Sequence, residues 1–499
     1  MLRKCPTRSI PRVLRELPKS LDETYLRVLR GIDEEDREDV YRLLQCLVVS
    51  VRPLRVEELA EVLAIDFDDA EGIPKLNPDW RWEDQELSLQ AACSSLIAIV
   101  DTGRSRVVQF SHFSVKEFLT SDRLADSSED VSRYYVSLGP AQLILAQACL
   151  GVLLRLDGGI DVDVADENSR SRDTWDEDRP MTNFVLPRYG AQQRLAAGSP
   201  LARYAAEHWV AHAQFENVLS CIQHGMEELF DSDKPHFLAW LQLHDMDTSP
   251  PFSSPFSWFS LHNKRKYGTP LYYAALCGFH DMADHLIVKH PQHVSARGGY
   301  YVTPLVAALA GNHLQIAQLL CQHGADVDVR GNLNRTPLNS ATTSGTPEMV
   351  QWLLNHGADA NAQSMSGTTA LRLAALQGLL DAARILLEHD ADANVPTNEG
   401  WVPLHGASLR GHLDMVRLLL SFSADVNPRT ADRQTPLHMA SQEGELEVAC
   451  MLLEHGADVE AENDKGKTAF QLASERGHDE IMKLLSEHST KAAKRDGAL

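Results

Sequence analysis

No two of the eight cysteines stand as a Cys-x-x-Cys pair; Cys5, Cys46, Cys93, Cys149, Cys221, Cys277, Cys321 and Cys450 are scattered along 499 residues. That spacing argues against a disulfide framework and a cysteine zinc site, and fits reduced thiols in the cytoplasm, with the nucleus as the alternative. Long hydrophobic runs are missing too. The longest, around residues 143–154, is too short to cross a bilayer, and the basic N-terminus (Arg3, Lys4, Arg8, Arg12) lacks the apolar stretch of a signal peptide. Positive charge is scarce: 47 Lys and Arg face 70 Asp and Glu, a net charge of −23. Such a chain repels phosphate backbones and anionic lipid, so neither nucleic acid nor a membrane surface is expected as a partner.

Catalytic signatures are absent as well. The chain has no Gly-x-Ser-x-Gly, no His-Glu-x-x-His and no local cysteine–histidine pattern, so neither an enzyme nor a cofactor is expected. His208 and His212 are four apart, as helical metal ligands can be, but no acid or cysteine is placed to complete a site. Asp161, Asp163 and Asp166 lack the Gly-x5-Glu completion of a calcium loop, so the acidic stretch 157–178 reads as a solvated loop. Gly466-Lys467-Thr468 imitates the end of a P-loop, but Ala461 stands where its first glycine must be, and no nucleotide is expected.

What the chain has instead is a period. Thr269-Pro270-Leu271 recurs as Thr303-Pro304-Leu305, Thr336-Pro337-Leu338, Thr369-Ala370-Leu371, Val402-Pro403-Leu404, Thr435-Pro436-Leu437 and Thr468-Ala469-Phe470, in steps of 34 and then 33 residues. Nine residues past each anchor stand Gly278, Asn312, Gly345, Gly378, Gly411, Gly444 and Gly477. Gly-Ala-Asp or a variant follows at a fixed offset, as in Gly324-Ala325-Asp326 and Gly456-Ala457-Asp458. Threonine caps a helix whose first position suits proline, because that N–H has no intrahelical partner. Small residues such as Ala374, Ala375 and Ala407 keep the helix face thin, and glycine or asparagine ends it in a left-handed conformation. A second helix follows, with apolar groups such as Val416, Leu419 and Leu420 at helical spacing. One repeat cannot bury its apolar face, so the array is stable only as a stack. The period and the phrase resemble the ankyrin repeat, and imply seven repeats over residues 266–490 with a short basic tail at 491–499. His405 and His438 fall in the slot after Pro-Leu, where hydrogen bonding within the turn is expected.

The part before the array reads differently. A helix around residues 26–29, an apolar helix over 40–51 and a third over Val56–Leu63 precede two β-rich runs, 96–100 and 107–110, about a turn holding Gly103. A helix from Phe113 to Leu119 closes the set. This order suggests a winged-helix module over 1–125, with Trp80 and Trp82 packing on it. The third helix carries Glu57, Glu58 and Glu61, the wrong sign for a DNA backbone. Residues 126–248 read as a helical adaptor with the acidic loop inside it, including a helix over 142–156 and three more between 200 and 241. Residues 249–265, rich in proline and serine, read as a linker. The expected class is therefore mainly α: an ankyrin-repeat solenoid preceded by a winged-helix-like module and a helical adaptor.

Leu17-Pro18-Lys19-Ser20-Leu21-Asp22-Glu23-Thr24-Tyr25 and Phe110-Ser111-His112-Phe113-Ser114-Val115-Lys116-Glu117-Phe118-Leu119 resemble the segment that follows the nucleotide-binding domain in fungal NACHT–ankyrin proteins of the STAND class. That resemblance implies a winged helix that helps hold or release an inactive state, and a signalling role in which the repeats sense a ligand. The NTPase that precedes this segment in those proteins has no counterpart in the sequence given. Three functions follow in order: a protein-interaction scaffold or sensor, a truncated regulatory part of a NACHT NTPase acting on a partner nucleotide-binding chain, and a DNA-associated winged-helix factor. For the first, residues at the hairpin tips and at the ends of the first helices should face a protein ligand across the concave groove. They are Leu333, Arg335, Met365, Leu376, Trp401, Leu409 and Arg410, an exposed strip of the aromatic, apolar and Arg groups that anchor interfaces. The alternative for Trp401 is packing over its own turn, because Val402 replaces the threonine anchor there.

Overall fold

A computed structural model of the chain describes residues 20–67, 74–77, 80, 96–103, 105–156, 198–244, 246, 267–344 and 346–496. Leu17 to Lys19, Trp82, the acidic stretch, the linker and Gly345 lie outside the described residues. The chain divides into two compact units, one of residues Met1–Pro180 and Phe184–Lys264, the other of Met181–Asn183 and Arg265–Leu499.

In the first unit α1 (Leu21–Arg30) and α2 (Arg37–Val49) lead into β1 (Leu54–Arg55) and α3 (Val56–Leu63). A short pair, β2 (Ile65–Asp66) and β3 (Lys75–Leu76), precedes the hairpin of β4 (Ile97–Asp101) and β5 (Arg106–Phe110). The expected hairpin is therefore present, but it belongs to a three-stranded sheet in the order β1-β5-β4, with Leu54 opposite Val108. Two residues are too few to show alternation, so β1 is set by its pairing and not by its own pattern. The closing helix α4 (Phe113–Leu119) follows, and Val40, Leu43, Leu59, Val62, Val108, Val115 and Leu119 form the winged-helix core. Tyr25 joins the two ends of the module: its hydroxyl lies 2.8 Å from Ser114 Oγ and its ring 5.4 Å from that of Phe118. Trp80 departs from the expectation of packing and is 47% exposed.

After two single-turn helices, α5 (Asp122–Ala125) and α6 (Glu129–Ser132), the apolar helix α7 (Leu138–Leu153) opens at Leu138, earlier than expected. Leu145, Ala146, Cys149, Leu150 and Leu153 are all buried, as a helix apolar on every side requires. It packs against α2, α8 (Ala202–Ala213), α9 (Val218–Leu229) and α10 (Pro235–Leu243). Trp209 and Trp240 meet edge to face at 5.4 Å, and Trp240 Nε1 donates to the Ala206 carbonyl at 3.1 Å. His212 is part of this core. Its Nε2 lies 2.9 Å from the Tyr204 hydroxyl and its Nδ1 2.6 Å from Gln142 Oε1, and burial holds its pKa down at about 4.

The second unit is the stack. Its first helices are α11 (Pro270–Cys277), α13 (Pro304–Ala310), α15 (Pro337–Ser344), α17 (Ala370–Gln377), α19 (Pro403–Leu409), α21 (Pro436–Glu443) and α23 (Ala469–Arg476). Each is followed by a second helix: α12 (His280–Lys289), α14 (Leu314–Gln322), α16 (Pro347–Asn355), α18 (Leu380–Glu388), α20 (Leu413–Ser421), α22 (Leu446–Glu454) and α24 (Asp479–Asp496). The last runs on to Asp496, past residue 490, where the array was expected to end. Thr269, Thr303, Thr369 and Thr435 each accept the N–H three residues on, the capping bond that their spacing predicts. Gly411 has φ +70°, so its conformation favours glycine, and a Cβ there would also push the Glu445 carboxylate aside.

Candidate recognition surface

Successive hairpins are sewn together by backbone. Met365 N–H donates to the Leu333 carbonyl at 2.7 Å, Asn398 to Ser366 at 3.1 Å, Ala431 to Glu399 at 2.8 Å and Asp464 to Asp432 at 2.9 Å. Asn398 Nδ2 also donates to the Met365 carbonyl at 3.0 Å. The tips of the third to seventh repeats thus form one ribbon, and the backbone positions along it are fixed relative to one another. A second row of bonds lies behind the Gly-Ala-Asp turn. Asn394 Oδ1 accepts from Asp425 N–H at 2.7 Å while its Nδ2 donates to the Ser423 carbonyl at 3.2 Å; Asn361 and Asn427 do the same one repeat away. These asparagines were not singled out from the sequence, although Asp-x-Asn at Asp359, Asp392 and Asp425 repeats with the same period.

Along the ribbon, Leu333 and Met365 are 67% and 70% exposed, and Arg335 and Arg410 are exposed as expected. Leu376, Trp401 and Leu409 correct the expectation of a fully exposed strip, because all three are half-buried. Leu376 lies over the thin face of α19, where a Cβ at Gly406 would come within 3.4 Å of its Cα. Trp401 leans on its own turn and on the repeat before it: His405 is 5.7 Å away ring to ring, and the Arg372 guanidinium sits over the indole at 5.8 Å.

The slot after Pro-Leu explains this cluster. Asn339, His405, His438 and Gln471 each turn an acceptor back to the anchor N–H, at 3.1, 3.2, 3.2 and 2.9 Å. His405 and His438 also donate from Nε2 to the carbonyls of Gln434 and Lys467 in the next repeat, both at 3.1 Å. Burial depresses both imidazoles, His405 to about 4, so both are neutral at neutral pH. Arginine has no acceptor and cannot make this bond. Arg372 therefore points its guanidinium at Trp401, its pKa lowered by burial.

Left-handed backbone recurs along the same ribbon. Residues 334, 367, 400, 433 and 466 occupy one equivalent tip position, and all have positive φ. Three are glycine and one is asparagine, but the fifth is Arg433, at φ 58° and exposed. Leu333 is also left-handed, at φ 56° and ψ 26°. Among the described residues, the side chains of Arg335, Arg410 and Arg433 form no ion pair.

In the first unit the helix that a DNA-binding reading would use is covered. Every residue of α3 except Glu57 is buried. Glu58 is held by Arg52 and Arg55 at 2.8 Å; burial drives its pKa up, but these hydrogen bonds and the Arg55 N–H outweigh it and leave it lowered. Glu61 Oε2 accepts from Leu201 N–H at 2.7 Å and Ser199 Oγ at 2.9 Å, tying α3 to the adaptor. Glu58 and Glu61 thus fix this helix inside the unit, and only Glu57 of the three acids reaches solvent.

Known sequences support both halves. Residues 31–130 match the family described as GPI inositol-deacylase, winged helix domain, and residues 253–331, 271–364, 329–397 and 371–463 match ankyrin repeats. The azaphilone pigments biosynthesis cluster protein L of Monascus ruber is 29% identical over 314 residues, covering 59% of this chain and 57% of that protein. The chain thus spans little more than half the length of the curated relative it matches. The molecule is a winged-helix module and helical adaptor with an ankyrin solenoid, and ankyrin repeats carry a protein-interaction role. Among the described residues no helix is long and apolar enough to cross a membrane.

Proposed function

We propose that the chain is a recognition subunit that grips a protein ligand with the ribbon of its third to sixth repeats, where Leu333, Arg335, Met365, Leu376, Trp401, Leu409 and Arg410 supply the contacts. The observation that carries this is the pair Leu333 and Met365, both apolar, largely exposed and locked side by side by a 2.7 Å backbone bond. A backbone already ordered at the tips lowers the entropy cost of binding, exposed Leu333 and Met365 supply apolar area, and half-buried Trp401 at the fifth repeat's tip offers an aromatic anchor. The winged helix and adaptor, over residues 1–125 and 126–248, would couple ligand capture to a STAND-type nucleotide switch carried on a longer form or a partner chain. In this reading the chain binds no nucleotide, metal or nucleic acid, catalyses nothing, and works in the cytoplasm. The ribbon is tested by comparing Trp401→Ala with Leu409→Ala in one chain against the unchanged chain as baits, with captured proteins quantified. A ligand that depends on the ribbon should lose about 2 kcal/mol or more of binding while the array still melts cooperatively with its helical circular dichroism intact. Equal capture by both baits refutes the assignment.

A further inference from the structure

We infer that the segment gripped by this ribbon is an acidic stretch of polypeptide bearing an apolar or aromatic side chain, an assignment that rests on the ribbon being the recognition surface. The first reason is sign. In a chain of net charge −23, the strip gathers Arg335, Arg372, Arg410 and Arg433 against Glu399, Asp432 and Glu443. Three of these arginines are exposed and form no ion pair among the described residues, so their charge is available to a ligand.

The second reason is where the arginines stand. At the tip position of Arg433 the other repeats place Gly367, Gly400, Gly466 and Asn334, the residues that tolerate φ above zero. Arg433 adopts the same left-handed conformation without that tolerance. A side chain kept at a strained position, exposed and unpaired, points to a use outside the fold. Arg372 makes the same case from the interior: it occupies a slot where Asn339, His405, His438 and Gln471 each close a capping bond, and turns to Trp401 instead. Arginines that precede and follow Trp401 in the order of the repeats, with Arg372 over its indole and Leu333 and Met365 exposed, match a segment with carboxylates before and after an apolar residue.

Size agrees with a peptide. Four repeats stacked at helix-packing distances of about 8–10 Å span roughly 30 Å, which an extended segment of about nine residues covers. Four arginines interrupted by acids are a poor track for a nucleic acid strand, whose phosphates would meet Glu399 and Asp432.

The experiment selects peptides from a random 12-residue phage library on the full chain, then measures the affinity of the enriched peptides by fluorescence anisotropy. Enriched peptides should be rich in Asp and Glu about one or two apolar residues, and bind more weakly at 300 mM than at 50 mM salt. Arg335→Glu with Arg410→Glu should weaken them at least tenfold. Arg433→Gly should weaken them about threefold while the melting temperature holds or rises, since glycine relieves the strain; a merely structural Arg433 would not give that opposition. Peptides that are neutral or basic yet lose affinity on Trp401→Ala overturn the acidic assignment and leave the ribbon standing. Peptides indifferent to Trp401→Ala overturn the ribbon and the acidic assignment together. A library with no binder above background, or a labelled single-stranded oligonucleotide bound at the strip, also overturns the proposal.

Discussion

His405 shows how one side chain links two repeats. Its Nδ1 closes the cap on Val402 N–H and its Nε2–H reaches the Gln434 carbonyl, so only the neutral ring satisfies both. The folded pKa is pressed to about 4 from an ordinary 6.5, chiefly by burial and also by Arg372, against Asp425 and the carbonyls it meets. Between these values the unfolded chain takes up a proton that the folded chain refuses. Stability is therefore full above about pH 6.5 and falls as pH drops toward 4, by an order of 2–3 kcal/mol for this site. His405→Gln keeps an acceptor, as Gln471 does in its own repeat, and cannot titrate. Its melting temperature should fall less steeply than the parent's from pH 7 to pH 4.5; parallel slopes would refute the assignment. Gly411→Val tests the backbone at the same scale. A β-branched side chain resists φ +70° and meets the Glu445 carboxylate, so at least about 1 kcal/mol should be lost in urea unfolding.

At the scale of elements, the asparagine row couples one repeat to the next. Asn394→Ala removes both the bond to Asp425 N–H and the bond to the Ser423 carbonyl, and should cost about 1–2 kcal/mol. Asn394→Asp keeps the acceptor, as Asp328 does toward Asp359, and should cost roughly half as much. Equal losses in chemical denaturation would mean that the acceptor contributes nothing. In the first unit, α3 is held by charge inside the fold. Glu58→Ala strands Arg52 and Arg55, and because both arginines keep partial solvent contact the loss should be about 2–3 kcal/mol, below the deep-burial range. A melting temperature unchanged by Glu58→Ala would show that this ion cluster is dispensable.

At the scale of the whole molecule, each compact unit has its own core, and the repeats contact their sequence neighbours along the stack. Residues 265–499 expressed alone should fold and melt cooperatively with helical circular dichroism. A molten product, without a sharp transition, would show that the array depends on the preceding unit.

The sequence by itself determined the parts of this protein that are written within one turn of chain. The Thr-Pro caps, the left-handed glycines and the helix pairs each depend on residues no more than about a dozen apart, and a 33-residue period repeats the same local instruction. The order of winged-helix elements was legible for the same reason, since α3 and the hairpin carry their own patterns. Tertiary structure decided what depends on distant partners. Leu54–Arg55 becomes a strand only because Val107 and Val108 lie opposite. Glu58 and Glu61 were legible only as charges of the wrong sign for a DNA backbone, and Arg52, Arg55, Ser199 and Leu201 draw them inside. The strip was legible in its positions and not in its exposure. Periodicity places Trp401 and Leu376 at tip and helix end, whereas their half-burial comes from Arg372, His405 and the bare face at Gly406, neighbours brought there by stacking. A charge or an indole has no fixed inside or outside of its own, and the contact that settles it is made by another part of the chain.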